Sequence, residues 1–188
     1  MNRIFTLLPA ALLALPCLAF SFDGNRRGFV GIFGLGAAPY TYWEQNAPEV
    51  DNSDFGYGFG LSVGYGWDNR NTILFNINGF AYNTELFQKD YTFVQGLYSA
   101  QWNHYFSETY GSLFTTLGIG IRFFGITVED DDRDISNGNR GFGYEAGIGY
   151  QFHKYLQAKI CYSGGKTGCY DTDYRHHLVY ALVELIGY

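Results

Sequence analysis

Side-chain polarity alternates with a period of two along residues 55–67, where every odd position is aromatic or aliphatic and every even position is Gly or Ser. Successive side chains of a β-strand point to opposite faces, so this segment predicts a strand with one apolar face and one face almost without side chains. A soluble sheet that buries one face usually presents polar residues on the other. Glycine instead suits an inward face where space is short or where side chains from across a barrel fill it. We therefore expect the apolar face to contact lipid.

The same alternation returns along the chain and predicts eight strands. They cover residues 28–38, 55–67, 72–82, 91–103, 113–123, 142–152, 156–163 and 178–188. The longer polar connections follow the first, third, fifth and seventh strands, at residues 40–54, 83–90, 129–141 and 164–176. An even number of strands with alternating long and short connections is typical of bacterial transmembrane barrels, whose short turns face the periplasm. The prediction is an all-β protein, an eight-stranded antiparallel up-and-down transmembrane β-barrel with periplasmic termini.

Composition supports this class and excludes others. Aromatic residues make up 20% of the 188 residues, charged residues only 16%, and glycine occurs 25 times, yet the mean hydropathy is −0.13. Only alternate residues of a barrel strand face lipid, so hydropathy averages out while aromatic content stays high. The formal charge of −6 argues against a nucleic-acid partner, because phosphate binding requires a basic surface.

The first 19 residues differ from the rest and predict a cleaved secretory signal peptide. Arg3 provides a positive start, and residues 4–15 are apolar but too short to cross a bilayer as a helix. Small residues precede a cleavage site after Ala19, with Ser21 as the alternative. Residues 20–188 are then a single barrel domain.

The signal segment, the eight alternating strands and a last strand that ends in the aromatic Tyr188 resemble the small OmpA/OmpX-type outer-membrane barrels of Gram-negative bacteria. The resemblance covers the whole mature chain as a pattern and includes no diagnostic motif. It implies an integral outer-membrane protein without a cofactor. It also implies contact with outer-membrane lipid and lipopolysaccharide, and with the barrel-assembly machinery during biogenesis.

One residue departs from the family pattern. Counting back by twos from Tyr188 puts Glu184 on the lipid face together with Leu178, Tyr180, Leu182 and Ile186. A carboxylate there is unfavourable unless it lies near the interface or a bulge turns it inward, although acidic residues cost less than the roughly 2–4 kcal/mol of Arg or Lys at the midplane.

Three charged residues are predicted to point into the barrel from consecutive strands. Arg122, Glu145 and Lys159 lie on the inward faces of strands five, six and seven, with alternating sign. Because an unpaired charge in a narrow barrel is costly, we expect a ladder of ion pairs and amides that fills the interior. The alternative is a small gated pore.

The long connections are the expected contact surfaces, because loops on a rigid barrel vary freely and carry specificity. The candidate residues for external contact are Tyr40, Tyr42, Trp43, Glu44, Asp130, Asp131 and Asp132. The acidic run lacks the glycine and the terminal glutamate of a calcium-binding hand loop, so no metal site is predicted. The expected function is a structural or surface-interaction role through external loops.

An enzymatic role is the third alternative. The lipid A deacylases among small outer-membrane barrels use a His-x-Ser-Asn stretch, and the nearest stretch here is residues 161–164, in which Cys161 replaces the general base. A serine such as Ser163 without a neighbouring imidazole is a poor nucleophile, so we expect no enzyme. An oxidising compartment permits a disulfide between Cys161 and Cys169, but the predicted loop position of Cys169 favours two free thiols.

Overall fold

The computed structural model of the chain describes residues 25–45, 55–86, 89–128, 135–169 and 172–188. The strands are β1 Gly28–Gln45, β2 Gly56–Gly66, β3 Asn71–Leu86, β4 Lys89–Tyr105, β5 Ser112–Val128, β6 Ile135–His153, β7 Leu156–Cys169 and β8 Thr172–Gly187. Each strand pairs antiparallel with the next, and β8 pairs with β1, which closes the barrel. The predicted fold class is confirmed. Among the described residues, no helix is long and apolar enough to span a membrane.

The two ends of the barrel differ. The end that holds residues 25 and 188, here called the terminal end, has tight connections at residues 67–70, 106–111 and 154–155. The opposite end is here called the loop end. A transmembrane barrel strand needs about 9–11 residues. The strands here have 11–19 residues, and all but β2 exceed that need.

Parts of the predicted loops are therefore strand. After a bulge between Ala37 and Tyr40, β1 continues to Gln45 in register with β8. Pairing between β7 and β8 reaches Cys169 and Thr172, so most of the predicted loop at residues 164–176 is a hairpin. The first segment contains polar residues and the second is polar and glycine-rich, which indicates loops from sequence alone, but a neighbouring ladder satisfies their backbone groups.

Alternation places large apolar residues outward on most strands, as predicted. The seven odd residues of 55–67 are all exposed, while Ser62 and the glycines between them face inward or lie at the wall. The same division holds on β4, β6 and β7, where Tyr98, Ile148 and Ile160 are exposed. The outer surface of the barrel is thus an apolar band.

The prediction for β8 is wrong. Glu184 is 1% exposed and points inward, whereas Val183 and Leu185 are 55% and 59% exposed. The even residues from Leu178 to Tyr188 are all buried. The reason is space: a Cβ on Gly60 would lie 2.9 Å from Leu182 Cδ1, and one on Gly34 would lie 2.7 Å from Glu184 Cγ. The large even residues of β8 fill the room that glycines of β1 and β2 leave.

Three apolar clusters pack inside the barrel between its polar side chains. One contains Val30, Ile32, Leu74, Ile186 and Tyr188. The second contains Ala38, Phe80, Cys161, Leu178, Tyr180 and Leu182, and the third joins Tyr82, Phe93 and Phe124. Buried polar residues occupy the layers between them, so side chains fill the described interior.

Candidate functional site

Glu145 of β6 lies at the centre of the interior polar network. Its Oε1 accepts hydrogen bonds from Asn76 Nδ2 at 3.1 Å and from Ser99 Oγ at 2.9 Å. Its Oε2 accepts from Asn78 Nδ2 at 2.8 Å and from the Tyr180 hydroxyl at 2.7 Å. Four neutral donors from three other strands therefore hold the carboxylate, and such hydrogen bonds compensate its removal from water.

Lys159 of β7 forms the ion pair of this network, and its partner is Glu184. The distance from Lys159 Nζ to Glu184 Oε1 is 2.8 Å, and both side chains are buried. Gln157 Nε2 donates to the other carboxylate oxygen of Glu184 at 2.6 Å. Sequence reasoning missed Glu184 because it was counted onto the lipid face. The carboxylate among apolar residues was the available signal that the even residues of β8 point inward rather than towards lipid.

Arg122 of β5 is fully buried near the loop end of the interior. Its Nη1 donates to Ser163 Oγ at 2.9 Å and its Nη2 to Gln95 Oε1 at 2.7 Å. The side chain passes two glycines, since a Cβ on either Gly143 or Gly165 would lie 3.0 Å from its own carbon atoms. The absence of side chains on β6 and β7 thus makes room for the guanidinium.

The three predicted charges all lie inside the barrel, but they do not pair in the predicted alternation. Among the described residues, the ion pair of Lys159 is with Glu184, while Arg122 and Glu145 bind neutral side chains. Together with Glu184 they form a set of two positive and two negative groups. These four charges compensate one another without a direct Arg122–Glu145 contact, and Arg26 adds a further buried positive charge at the terminal end.

Arg26 closes the terminal end of the interior. Its Nη1 donates to the carbonyl oxygens of Asn69 and Ser107 at 2.6 and 2.7 Å, and its Nη2 to that of Thr109 at 2.7 Å. Its Nε donates to Gln151 Oε1 at 2.8 Å. The guanidinium also lies 3.9 Å from the ring centroid of Tyr105, at cation–π distance. Most of these partners are backbone carbonyls of distant turns, which no side-chain pattern reveals.

Ser163 has partners that do not activate it as a nucleophile. Its hydroxyl donates to the carbonyl oxygen of Tyr144 at 3.2 Å and accepts from Arg122. Among the described residues, the buried imidazole is that of His176, whose Nε2 lies 2.7 Å from Thr167 Oγ1 and whose ring packs on Phe124. The hydroxyl thus bonds a carbonyl and a guanidinium rather than a general base.

The predicted contact residues at the loop end lie partly on strand. Tyr40 is exposed on β1, and Tyr42, Trp43 and Glu44 continue that strand in register with His177, His176 and Arg175. Their prediction as loop residues is therefore wrong. Asp130, Asp131 and Asp132 lie outside the described residues.

The cysteine and metal expectations concern the same end. Cys161 is a free, buried thiol, and Cys169 ends β7 rather than lying in a loop. Within the part of the chain that the structure describes, no three His, Cys, Asp or Glu side chains come together to hold a metal ion. The acidic run at residues 129–134 lies outside that part.

Comparison with known proteins gives the same fold. A family model described as "Outer membrane protein beta-barrel domain" matches residues 5–181. Ail, the attachment invasion locus protein of Yersinia pestis, aligns with a TM-score of 0.57 at 14% identity, covering 84% of this chain and 99% of that chain. Neisserial surface protein A aligns with a TM-score of 0.56 at 15% identity, covering 84% and 95%. No curated protein matches the sequence.

Proposed function

Because the chain belongs to the outer-membrane β-barrel family, we propose that it is a non-enzymatic barrel that carries an interaction surface at its loop end, outside the cell, with both termini in the periplasm. The observation that carries the proposal is the length of the strands. Pairing in the β3–β4 and β5–β6 hairpins continues to Leu86 and Lys89 and to Val128 and Ile135. Since a spanning strand needs about 9–11 residues, these hairpins form a rigid wall beyond the bilayer.

The filled interior supports a rigid stem rather than a channel. Arg26 and the Tyr105 ring close the terminal end, and Glu145 and its four donors occupy the centre. Eight strands enclose little more than side chains, and here the side chains are tied to one another across the lumen.

The bonding of Ser163 and the names of the structural neighbours support a non-enzymatic role. The Ser163 hydroxyl is bonded to a guanidinium and a carbonyl, and neither of these partners is a general base. Ail is by name an attachment and invasion protein, and the Neisserial protein is by name a surface protein. Both names are consistent with recognition at the cell surface.

The charge of the loop end suggests which partners it recognises. The four segments at residues 40–54, 83–90, 129–141 and 164–176 contain thirteen carboxylates and five Lys or Arg residues. Ail has been solved with the heparin analogue sucrose octasulfate, a polyanion. The acidic excess here instead favours a basic partner surface, because like charges repel a polyanion.

Epitope display and conductance test the proposal together. An epitope inserted between Asp131 and Asp132 should be accessible to antibody on intact cells, and one inserted next to Glu108 only after permeabilisation. Purified protein in planar bilayers should produce no unitary conductance steps. Accessibility of the Glu108 epitope on intact cells would overturn the orientation, and regular conductance steps would favour the small pore.

A further inference from the structure

Three neighbouring strands carry a basic residue at the upper edge of their apolar outer face. On β6, β7 and β8 the outward residues counted from the terminal end include no Asp, Glu, Lys or Arg until Arg140, Lys166 and Arg175, and all three of these are exposed. We call these three residues the basic strip. They are three of the five Lys and Arg residues in the loop-end segments, so positive charge is concentrated on one side of an acidic end.

The three side chains of the basic strip start close together. Lys166 and Arg175 are Cα partners across β7 and β8, and Arg140 is the partner of Gly168, two residues beyond Lys166. Adjacent strands lie about 4.8 Å apart, so three long cationic side chains cover one small surface area. Among the described residues, the guanidinium groups of Arg140 and Arg175 have no hydrogen-bond or ion-pair partner.

The height of the basic strip matches the membrane surface. Lys166 lies ten positions above Leu156, which begins β7 at the terminal end. At about 3.3 Å per residue and a tilt of about 40°, ten positions rise roughly 25 Å, the height of the apolar band of such barrels. Arg175 lies equally far above Leu185 on β8. Both residues are therefore at headgroup level when the band lies in the membrane.

The residues just below the basic strip are those of an interfacial girdle. Phe142, Tyr144 and Tyr162 face outward there. The Tyr162 hydroxyl lies 2.5 Å from Nδ1 of His177, and the rings of Tyr144 and Tyr162 are 6.2 Å apart. Aromatic side chains of this kind mark the boundary between acyl chains and headgroups. The basic strip is directly above that boundary.

Other strands carry the opposite sign towards the loop end. The first charged residues beyond the apolar positions of β3 and β4 are Glu85 and Asp90, which are register partners. On β1 the corresponding residue is Glu44, the Cα partner of Arg175. The positive charge is therefore specific to the β6–β8 side and is not a general property of the loop end.

We propose that the basic strip binds the phosphate groups of a phosphorylated glycolipid of the outer leaflet, the lipid A portion of lipopolysaccharide, whose acyl chains then lie along the apolar face of β6–β8. Arginine is suited to phosphate because its planar group donates two parallel hydrogen bonds. The proposal rests on the proposed orientation of the loop end. The epitope experiment tests that orientation separately, so the two can fail independently.

Lipid retention in native mass spectrometry tests the proposal. The wild-type protein and the variant Arg140→Gln/Arg175→Gln are incubated with bisphosphorylated lipid A and with the same lipid after enzymatic dephosphorylation. The matched control is Arg27→Gln/Arg70→Gln, which removes two exposed arginines at the terminal end. Heat-modifiable gel migration confirms that each variant is folded. The variant Arg140→Lys/Arg175→Lys keeps the charge.

We expect the wild type and the control to retain the phosphorylated lipid, and the Arg140→Gln/Arg175→Gln variant to retain it at least tenfold less, because each basic residue near an anionic surface contributes severalfold to binding. The lysine variant should fall between them. Retention should also weaken with salt. Equal retention by the glutamine variant and the wild type, an equal loss in the control, or equal retention of dephosphorylated lipid A would overturn the proposal.

Discussion

Strands β2 and β8 divide their side chains in opposite ways. In β2 the large residues, such as Phe59 and Tyr65, point outward, and the inward positions are Gly or Ser. In β8 large residues such as Tyr180 and Leu182 point inward, while outward positions such as Ala181 and Val183 are smaller. The two arrangements are complementary, because both strands flank β1 and their inner faces meet where Gly60 approaches Leu182.

Alternation alone identifies the lipid face only in a strand whose two faces differ clearly, as in β2. In β2 one face consists of Gly and Ser, so all of the large side chains lie on the other face. In β8 both faces are largely apolar, and size rather than polarity distinguishes them. Glu184 is the charged residue among these apolar positions. It lies on the inward face, where Lys159 is its partner. Packing across the lumen therefore decides the parity of β8.

Removing Glu184 should break this complementarity most severely. In Glu184→Ala, Lys159 stays buried without a countercharge, and breaking a buried pair in this way costs about 3–5 kcal/mol. The free energy of unfolding by urea in lipid vesicles measures the loss. The double variant Lys159→Met/Glu184→Leu should recover most of the stability. If Glu184 instead faced lipid, Glu184→Ala would be neutral or stabilising.

Filling the glycine face of β2 should have the next largest effect. Gly60→Val places methyl groups against Leu182, since even a Cβ would lie 2.9 Å from its Cδ1. Overpacking of this kind costs about 1–3 kcal/mol. In urea titrations, adding Leu182→Ala should make the double variant more stable than the sum of the two single effects predicts. Gly79→Val is the matched control, because that position has only ordinary contacts near 3.7 Å. Equal losses of stability in Gly60→Val and Gly79→Val would contradict the close approach of Gly60 to Leu182.

The turn after β2 should give the smallest effect. The side-chain hydrogen bond from Asn71, with backbone hydrogen bonds from Arg70 and Asn71, lowers the pKa of Asp68 below its usual 3.8, although burial opposes this shift. Since the folded pKa is the lower one, the stabilisation is complete above the unfolded pKa and is lost as the pH falls through the folded value. Asp68→Ala should cost less than about 1 kcal/mol at pH 7, because exposed charges are screened.

The acid dependence of that loss is the check on Asp68. Urea titrations of wild type and Asp68→Ala at pH 7 should differ, and the difference should shrink at the acid end of the range. A difference that stays constant with pH would mean that the turn depends on the shape of the side chain rather than on its charge.

The sequence predicts the faces of a strand well where its alternate residues differ clearly in size or polarity. The outward faces of β2 and β6 were readable because large residues alternate with Gly or with polar residues. The continuation of β1 past Tyr40 was not, because its polar residues are strand only while β8 pairs with them. Arg26 was also out of reach, since its partners are carbonyls of turns that meet only after the barrel closes. For Arg122, Glu145 and Lys159, the alternation along each strand predicted the inward position, but it did not predict the hydrogen-bond or ion-pair partner.

Spin labelling of β8 in lipid vesicles measures directly which side chains of this strand face lipid. With Cys161 and Cys169 replaced by serine, single nitroxides are attached in turn at residues 181, 182, 183, 185 and 186, and their accessibility to oxygen is compared with that to a polar nickel complex. We expect labels at Ala181, Val183 and Leu185 to contact lipid and labels at Leu182 and Ile186 not to. Lipid contact at Leu182 and Ile186, with shielding at Val183, would show that β8 has the opposite parity and would contradict the closed interior described above.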